Sequence, residues 1–570
     1  MRIICLLIFV SCAFAVKAQA PPAGAVAPED VAFNAYYNTA RTPVVTGKLI
    51  NATADELKSL PISCTLVTPF ADAQQKKLVT INPDGSFKIP LDYALPYQQI
   101  WFGIGDIFYA CLFANKSLYV ELDIKKIKAA KEVNFNGDGV RYLGEDGALN
   151  TYYNNYILYQ NANKLRVPGN RYDMMHPAEH IIDSVLPRYN KIFDSLKTIE
   201  AEYIAANPSP YGWLLENERM SDYYSIICTM YFNREMDDSI WQKLKAHKGY
   251  VISNSGTDYY RYLAMYLSAR PGAYMPTTWK DVAALPGLTL SETAILDSLK
   301  TGEQMQGQYP YTAENIKRWT KLLAPRIQPL ALARNITRQM KTLDSLFLPA
   351  RADFLAFQLT GSHDVNEQKS QLAQLLGSIQ TPWCKSVVQN EYNLRLAKIN
   401  EINKTLAGAK NNTALTGFGK PLLQTSFNAA LYKAPSIKAL DFLTKLKQSF
   451  PGKAIIIDRW ATWCVPCLHE MPHSKELQQA STDLPVVFVY LCTLNSSSED
   501  KWKSKVAELK QPGVHFLIDE ALDNELSSYF SFAGYPGYAF IDKTGKYKAG
   551  AIKWMADIKD KADLATLVNN

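Results

Sequence analysis

The chain has few cysteines for its size and no block of like charge. Beyond its first twenty residues it also has no apolar run long enough to cross a bilayer. Nine cysteines among 570 residues exclude a small disulfide-stapled scaffold. Sixty-one Lys and Arg against 54 Asp and Glu leave a net charge of only +7, spread without a basic block, so nothing calls for nucleic acid or an anionic membrane surface as a partner. A spanning helix needs roughly 18–20 consecutive apolar residues, and no segment after Ala20 supplies them. No fixed-period repeat points to a solenoid. No Gly-rich run matches a phosphate loop, and nothing in the pattern asks for a cofactor. What remains is ordinary globular composition, 47% hydrophobic and 20% charged. The chain is too long for one core, and a prior of about 150 residues per domain suggests three or four units.

The first twenty residues differ. Met1-Arg2 is a short positive start, Ile3 to Val16 is almost wholly apolar, and Ala18-Gln19-Ala20 is a small-x-small cleavage site. This is the layout of a signal peptide over 1–20, so the mature protein is expected in the periplasm or cell envelope after Sec export. A competing pattern is Phe9-Val10-Ser11-Cys12, which loosely resembles a bacterial lipobox and would make Cys12 a lipid anchor. Lipoboxes usually carry Leu where Phe9 stands. Without Cys5 and Cys12, seven cysteines remain: Cys64, Cys111, Cys228, Cys384, Cys464, Cys467 and Cys492. Five are isolated, as small buried hydrophobes usually are. Cys64 and Cys111 fall in one predicted β region and are a candidate pair.

Residues 21–41 open with Pro-Pro-Ala-Gly-Ala-Val-Ala-Pro and read as a linker. From 42 to 137 the texture is β: Ser86-Phe87-Lys88-Ile89 and Ser117 to Leu122 alternate at period two. Asn82-Pro83-Asp84-Gly85 is a turn. A small antiparallel sandwich-like domain is expected there. From 138 to 412 the period becomes helical. Ile182, Val185, Leu186, Tyr189, Ile192, Phe193, Leu196 and Ile199 form one stripe, which Pro187 can bend. Thr289 to Glu292 is a capping box. His176-Pro177-Ala178-Glu179-His180 spells a zinc-peptidase motif, but Pro177 puts His176 outside helical geometry, and a helix start explains the run. From 430 to 570, strands alternate with helices, the signature of an α/β sheet.

Within that last region lies Asp458-Arg459-Trp460-Ala461-Thr462-Trp463-Cys464-Val465-Pro466-Cys467-Leu468-His469-Glu470. Disulfide exchange needs a thiolate, and an ordinary Cys with pKa ~8.5 is only about 3% ionised at pH 7. A cysteine in the first turn of a helix gains from unpaired amide N–H groups and the helix dipole. Cys467, three residues on, shares its helical face within disulfide reach. Cys464 is the expected nucleophile and Cys467 the resolving thiol, with Pro466 restricting the loop between them. A structural zinc site would need two more ligands; His469 and His473 lie nearby, but Pro472 and the strand-to-helix setting favour redox chemistry.

This run resembles the thioredoxin superfamily, and Trp463 to Cys467 with Glu470 and Pro472 is most similar to its exported TlpA-like and ResA-like branch of thiol–disulfide oxidoreductases. The β-then-helical front part is similar in layout to large exported thioredoxin-like proteins of the Bacteroidetes type. The resemblance implies a thioredoxin fold for the carboxy-terminal domain. It makes Asp458 the buried proton acceptor for Cys467, with Glu470 sharing the proton handling; a carboxylate buried at a strand end has its pKa raised toward working pH. It makes Gly534-Tyr535-Pro536-Gly537 the cis-proline loop facing the pair, with Tyr535 where the family more often has Thr, Val or Ile. Trp463, Val465, Pro466, Tyr535 and Pro536 would then contact substrate. The expected function is electron exchange with cysteine-containing envelope proteins, the pair being kept reduced by a membrane thiol reductant. Two rival readings are a thioredoxin-fold peroxidase and an envelope binding or scaffold protein with an accessory redox module. The peroxidase pattern wants Thr and Pro where Ala461 and Ile457 stand.

Overall fold

The computed structural model describes residues 30–569 apart from 73, 131–132, 134, 164–181, 233, 248, 250, 271–275, 363 and 410–413. The signal segment 1–20, Cys12, the linker through residue 29 and the run His176 to His180 lie outside the described residues. No described helix is long and apolar enough to cross a membrane. The chain divides into two compact units, Met1–Gly361 with Gln371–Glu391, and Ser362–Ser370 with Tyr392–Asn570.

In the first unit, one sheet orders Ser86–Ile89, Val44–Ile50, Ser117–Asp123 and Val140–Leu143. A second orders Gln74–Lys76, Ile62–Val67, Gln98–Ile104 and Phe108–Ala114. They touch where Phe87 of one stacks on Phe102 of the other, 5.2 Å between centroids. The expected turn is present: Gly85 takes φ +83°, open to glycine at little cost, and its amide donates to the Asn82 carbonyl at 2.8 Å. The expectation of an all-antiparallel arrangement needs correction. Val44–Ile50 runs parallel to Ser117–Asp123, because the chain crosses to the other sheet and returns between them.

The candidate pair Cys64–Cys111 is also corrected, for both thiols are free and buried. Cys64 lies opposite Phe102 and Cys111 opposite Trp101. Neighbours along a strand point to opposite faces, so the two sulfurs are on opposite sides of the sheet with a strand between them.

The strands and the helices that follow them share this unit. Asn150 and Asn154, four apart on the helix Gly147–Ala162, pair like a fifth strand with Phe108–Ala114. Each accepts from a backbone amide and donates to the same residue's carbonyl, Asn150 on Phe113 and Asn154 on Cys111, at 2.7–3.2 Å. An open strand edge is thereby satisfied by amide side chains instead of water or another chain. Tyr97, Cys111 and Phe113 then close a core with Leu149 and Leu214 from the helices and Val251 from the loop ahead of Asn254. Further along, the capping box at Thr289 and Glu292 starts the helix Leu290–Gln304.

The second unit is built on a seven-stranded sheet. Its order is Tyr547–Lys548, Gly537–Ile541, Ala454–Trp460, Val486–Thr493, Gly513–Ile518, Ala429–Lys433 and Leu423–Gln424. The four strands from Ala454–Trp460 to Ala429–Lys433 are mutually parallel, and the others antiparallel. Helices cover both faces, so the central strand is buried along its whole length. Its alternate residues feed two cores. Ala454, Ile456 and Trp460 pack with Met471, Leu477, Trp502, Val506 and Leu564. Ile455 and Ile457 pack with Phe442, Leu446, Leu522, Leu526 and Phe530. The last strand is only Tyr547–Lys548. The carboxy-terminal fold is therefore the thioredoxin arrangement of a central sheet between helix layers.

Candidate active site

The central strand ends at Trp460, and within five residues the chain enters the helix Val465–Ala480. Cys464 is that helix's N-cap. Its sulfur accepts the amide of Cys467 at 3.2 Å, the interaction a cap oxygen makes elsewhere. Pro466 occupies the first turn, where a missing N–H costs nothing. Pro472 lies inside the same helix. Cys464 and Cys467 are joined by a disulfide, with Cα atoms 5.3 Å apart. Both are almost fully buried, whereas Trp463 and Val465 are 42% and 40% exposed and Pro466 is exposed. The pair thus sits in a shallow apolar rim.

Asp458 lies on the same sheet face. In register it is flanked by Tyr490 on one neighbouring strand and Tyr538 on the other, both members of the core that holds the two cysteines. It is 2% exposed, and neither carboxylate oxygen has a hydrogen-bond partner among the described residues. Burial, reinforced by the charge of Glu470, pushes its pKa up from 3.8 to about 8. A carboxyl so placed holds its proton near neutral pH and can exchange it with a neighbouring thiol. Glu470, on the Cys helix, accepts the amide of Ala556 at 2.9 Å.

Tyr535-Pro536 is a cis peptide just before the strand Gly537–Ile541. The Tyr535 ring meets Trp463 edge-on, centroids 5.4 Å apart, so two of the expected substrate-contact residues touch. The Trp463 indole in turn donates to the Asn495 carbonyl at 2.8 Å.

Sequence reading passed over three groups here. Arg459 is buried beside Asp458 and forms a two-pronged ion pair with Asp523, at 2.7 and 2.9 Å. It also donates to the Gly534 carbonyl and the Tyr535 hydroxyl. Tyr538 places a buried, unpartnered hydroxyl across from Asp458. One signal was available for the arginine: a full positive charge inside an otherwise buried strand requires a buried partner. No signal in the sequence pointed to Asp523 as that partner.

Residues 433–565 match the Redoxin family model. Among curated proteins, the thioredoxin-like protein YneN of Bacillus subtilis (strain 168) is 31% identical over 114 residues, 19% of this chain and 62% of that protein. Thiol-disulfide oxidoreductase ResA of Bacillus thuringiensis subsp. konkukian is 30% identical over 99 residues, 17% of this chain and 54% of that protein. The chain thus spans between half and two thirds of the length of these relatives. Among solved structures, a thiol:disulfide interchange protein of the thioredoxin family from Chlorobium tepidum TLS shares 22% identity, covering 22% of this chain and 82% of that one, with a TM-score of 0.19. The family match lies wholly within the second unit.

Proposed function

We propose that the protein is an exported thiol–disulfide oxidoreductase that reduces cysteine-containing proteins of the cell envelope. The observation that carries this is the Cys464 sulfur at a helix N-cap, accepting an amide N–H, with its partner Cys467 three residues on. In the reduced protein the same amide stabilises a Cys464 thiolate. That thiolate attacks one sulfur of a substrate disulfide, forming a mixed disulfide and releasing one substrate thiolate. Cys467, giving its proton to Asp458 in the fraction of molecules where that carboxyl is ionised, attacks the Cys464 sulfur. This releases the second substrate thiolate and closes the Cys464–Cys467 disulfide. Two electrons leave the pair, and two protons, one passed on from Asp458 and one from solvent, end on the substrate thiols. A membrane dithiol donor then restores the pair by the reverse sequence.

Export is supported by the signal-like first twenty residues, and the reductant direction by the resemblance to the ResA-like branch. The experiment measures the Cys464–Cys467 potential against glutathione. A value toward about −270 mV supports a reductant, and one near −120 mV overturns that direction. In the same preparation, Cys467→Ser should accumulate mixed disulfides on Cys464, and Cys464→Ser should accumulate none. Equal trapping by both overturns the assigned roles.

A further inference from the structure

Cys464 is the last residue of a tight turn. Its amide donates to the Ala461 carbonyl at 3.0 Å, which leaves Thr462 and Trp463 as the two central residues. Both are tied to one loop. The Thr462 and Ser497 hydroxyls share a hydrogen bond, and the Trp463 indole donates to the Asn495 carbonyl at 2.8 Å. Thr462 is buried and Ser497 half-buried, so water competes only partly for their contact. The loop has little slack of its own. It leaves the strand Val486–Thr493 with the Leu494 amide still donating to the Ile518 carbonyl at 2.9 Å. The Ser497 amide donates back to the Leu494 carbonyl at 3.2 Å, and the Asn495 amide to the Thr493 hydroxyl at 3.1 Å. Ser496 takes φ +54°, a left-handed conformation that a side chain keeps only where its surroundings hold it. Ser498 then caps the helix Glu499–Leu509 by accepting the Lys501 amide.

That helix is fixed in turn by segments that lie ahead of the family match. Ala507 packs with Val365, Ile399 and Ile402. Lys501 pairs with Glu367 at 2.6 Å, Lys510 with Glu401 at 2.8 Å, and Lys398 with Glu508. Exposed ion pairs contribute little, so the aliphatic contact carries most of the hold. All of these residues belong to the second unit, yet the partners from Val365 to Ile402 precede residue 433, where the match begins. A nucleophilic sulfur is useful only while it stays on the amides that favour its anion, and small displacements forfeit that. If the central residues of the turn were loose, the sulfur could drift from the Cys467 amide.

We propose that loop 494–498 positions the nucleophile, that Ser497 and Thr462 are its positioning residues, and that the helix Glu499–Leu509 passes to it the hold of the flanking segments. The proposal rests on the oxidoreductase reading and deepens it: the reactivity of Cys464 depends on residues outside the Redoxin match.

The test uses the full chain, reduced and folded, and follows alkylation of Cys464 by iodoacetamide against pH, read at that residue by tandem mass spectrometry. The wild-type midpoint should lie below the ~8.5 of free cysteine. Ser497→Ala should raise it by about half a pH unit, a loss of up to about threefold in thiolate at pH 7. Thr462→Val removes the other hydroxyl at nearly constant volume and should do the same. The double variant should lose no more than either single one. Ile402→Ala, on the far side of the helix, should move the midpoint in the same direction by a smaller amount. Should it not fold, Ile399→Val with Ile402→Val takes its place. A merely structural contact would lower the denaturation midpoint and leave the titration where it was. That result in Ser497→Ala overturns the proposal, and in the Ile402 variant it overturns the part given to the flanking segments. A wild type titrating like free cysteine sinks the oxidoreductase reading itself, which separates the two failures.

Discussion

Two cysteines of this protein sit at helix starts, one in each compact unit, and their surroundings make them chemical opposites. Cys464 caps the helix Val465–Ala480 and its sulfur receives an amide N–H. Cys384 is the third residue of the helix Pro382–Ala407. There the amides leading into the helix, those of Gln380 and Thr381, are taken by the carboxylate of Asp353. The Cys384 sulfur faces the Ala350 carbonyl instead. Burial, with the Asp353 charge added, pushes its thiol well above the ordinary value. The other first-unit thiols share this fate for burial alone or chiefly so, Cys64 rising to about 12. On the proposed function, a helix start activates a sulfur only where the free amides still point at it and no carboxylate has claimed them.

The sharpest way to break that comparison is to remove each sulfur in turn. Cys464→Ser should lower insulin reduction by on the order of a thousandfold or more, since the nucleophile is lost outright. Cys384→Ala should leave it within a factor of about two, because that thiol does not ionise near neutral pH. Loss of activity in the second variant, measured on folded protein, would end the contrast.

A second test addresses the acid beneath the pair. Asp458→Asn should slow release of the mixed disulfide by on the order of a hundredfold at pH 7, the usual worth of a positioned proton acceptor. The same variant has a stability signature whose sign follows from linkage. The folded pKa of Asp458, about 8, stands above its ordinary 3.8. The folded state therefore holds a proton that the unfolded chain releases between those values. The stabilising contribution is full below about pH 4 and is lost as pH rises to about 8, with a slope of ~1.4 kcal/mol per pH unit at most. Denaturant unfolding of the oxidised protein across that window should show a shallower decline for Asp458→Asn. Parallel pH profiles for the two proteins would remove Asp458 as a strained acid.

The smallest effect concerns where the second unit begins. Ile399 and Ile402, on the last turns of the helix Pro382–Ala407, pack with Ala507 of the helix Glu499–Leu509. Lys398 and Glu401 pair with Glu508 and Lys510 nearby. A chain beginning at residue 392 should be more stable than one beginning at 430 by about 1–3 kcal/mol, which is the roughly 3–6 kcal/mol from burying two aliphatic side chains less the cost of ordering the helix. Equal denaturation midpoints would place the working boundary near 430.

Much of the second unit was legible because its signals are short-range. The alternation of strands and helices expected over 430–570 is present, with the helix Ala439–Ser449 ahead of the strand Ala454–Trp460. The run from Asp458 to Pro472 carried the strand end, the cap and the cysteine spacing in fifteen letters. The edge strand Leu423–Gln424 and its neighbour Ala429–Lys433 did not show. They are too short for a period, and the second exists only by pairing with Gly513–Ile518 far along the chain. Tyr535 registered as a departure from family habit without a reason. The reason is Asp523 and Arg459, 12 and 76 residues away. Cys64 and Cys111 looked like partners because they share a β region, and only strand register shows that they face opposite ways.

The sequence by itself determined that two cysteines one helical turn apart begin a helix after a buried strand. That is a local matter, because cap, dipole and spacing are properties of some ten consecutive residues. Tertiary structure alone decided that Asp458 keeps its proton, that Tyr535 is held in one orientation and that Cys384 stays inert. Each of these depends on which distant groups desolvate, pair with or exclude a side chain, and such energies arise only once the layers have closed over it.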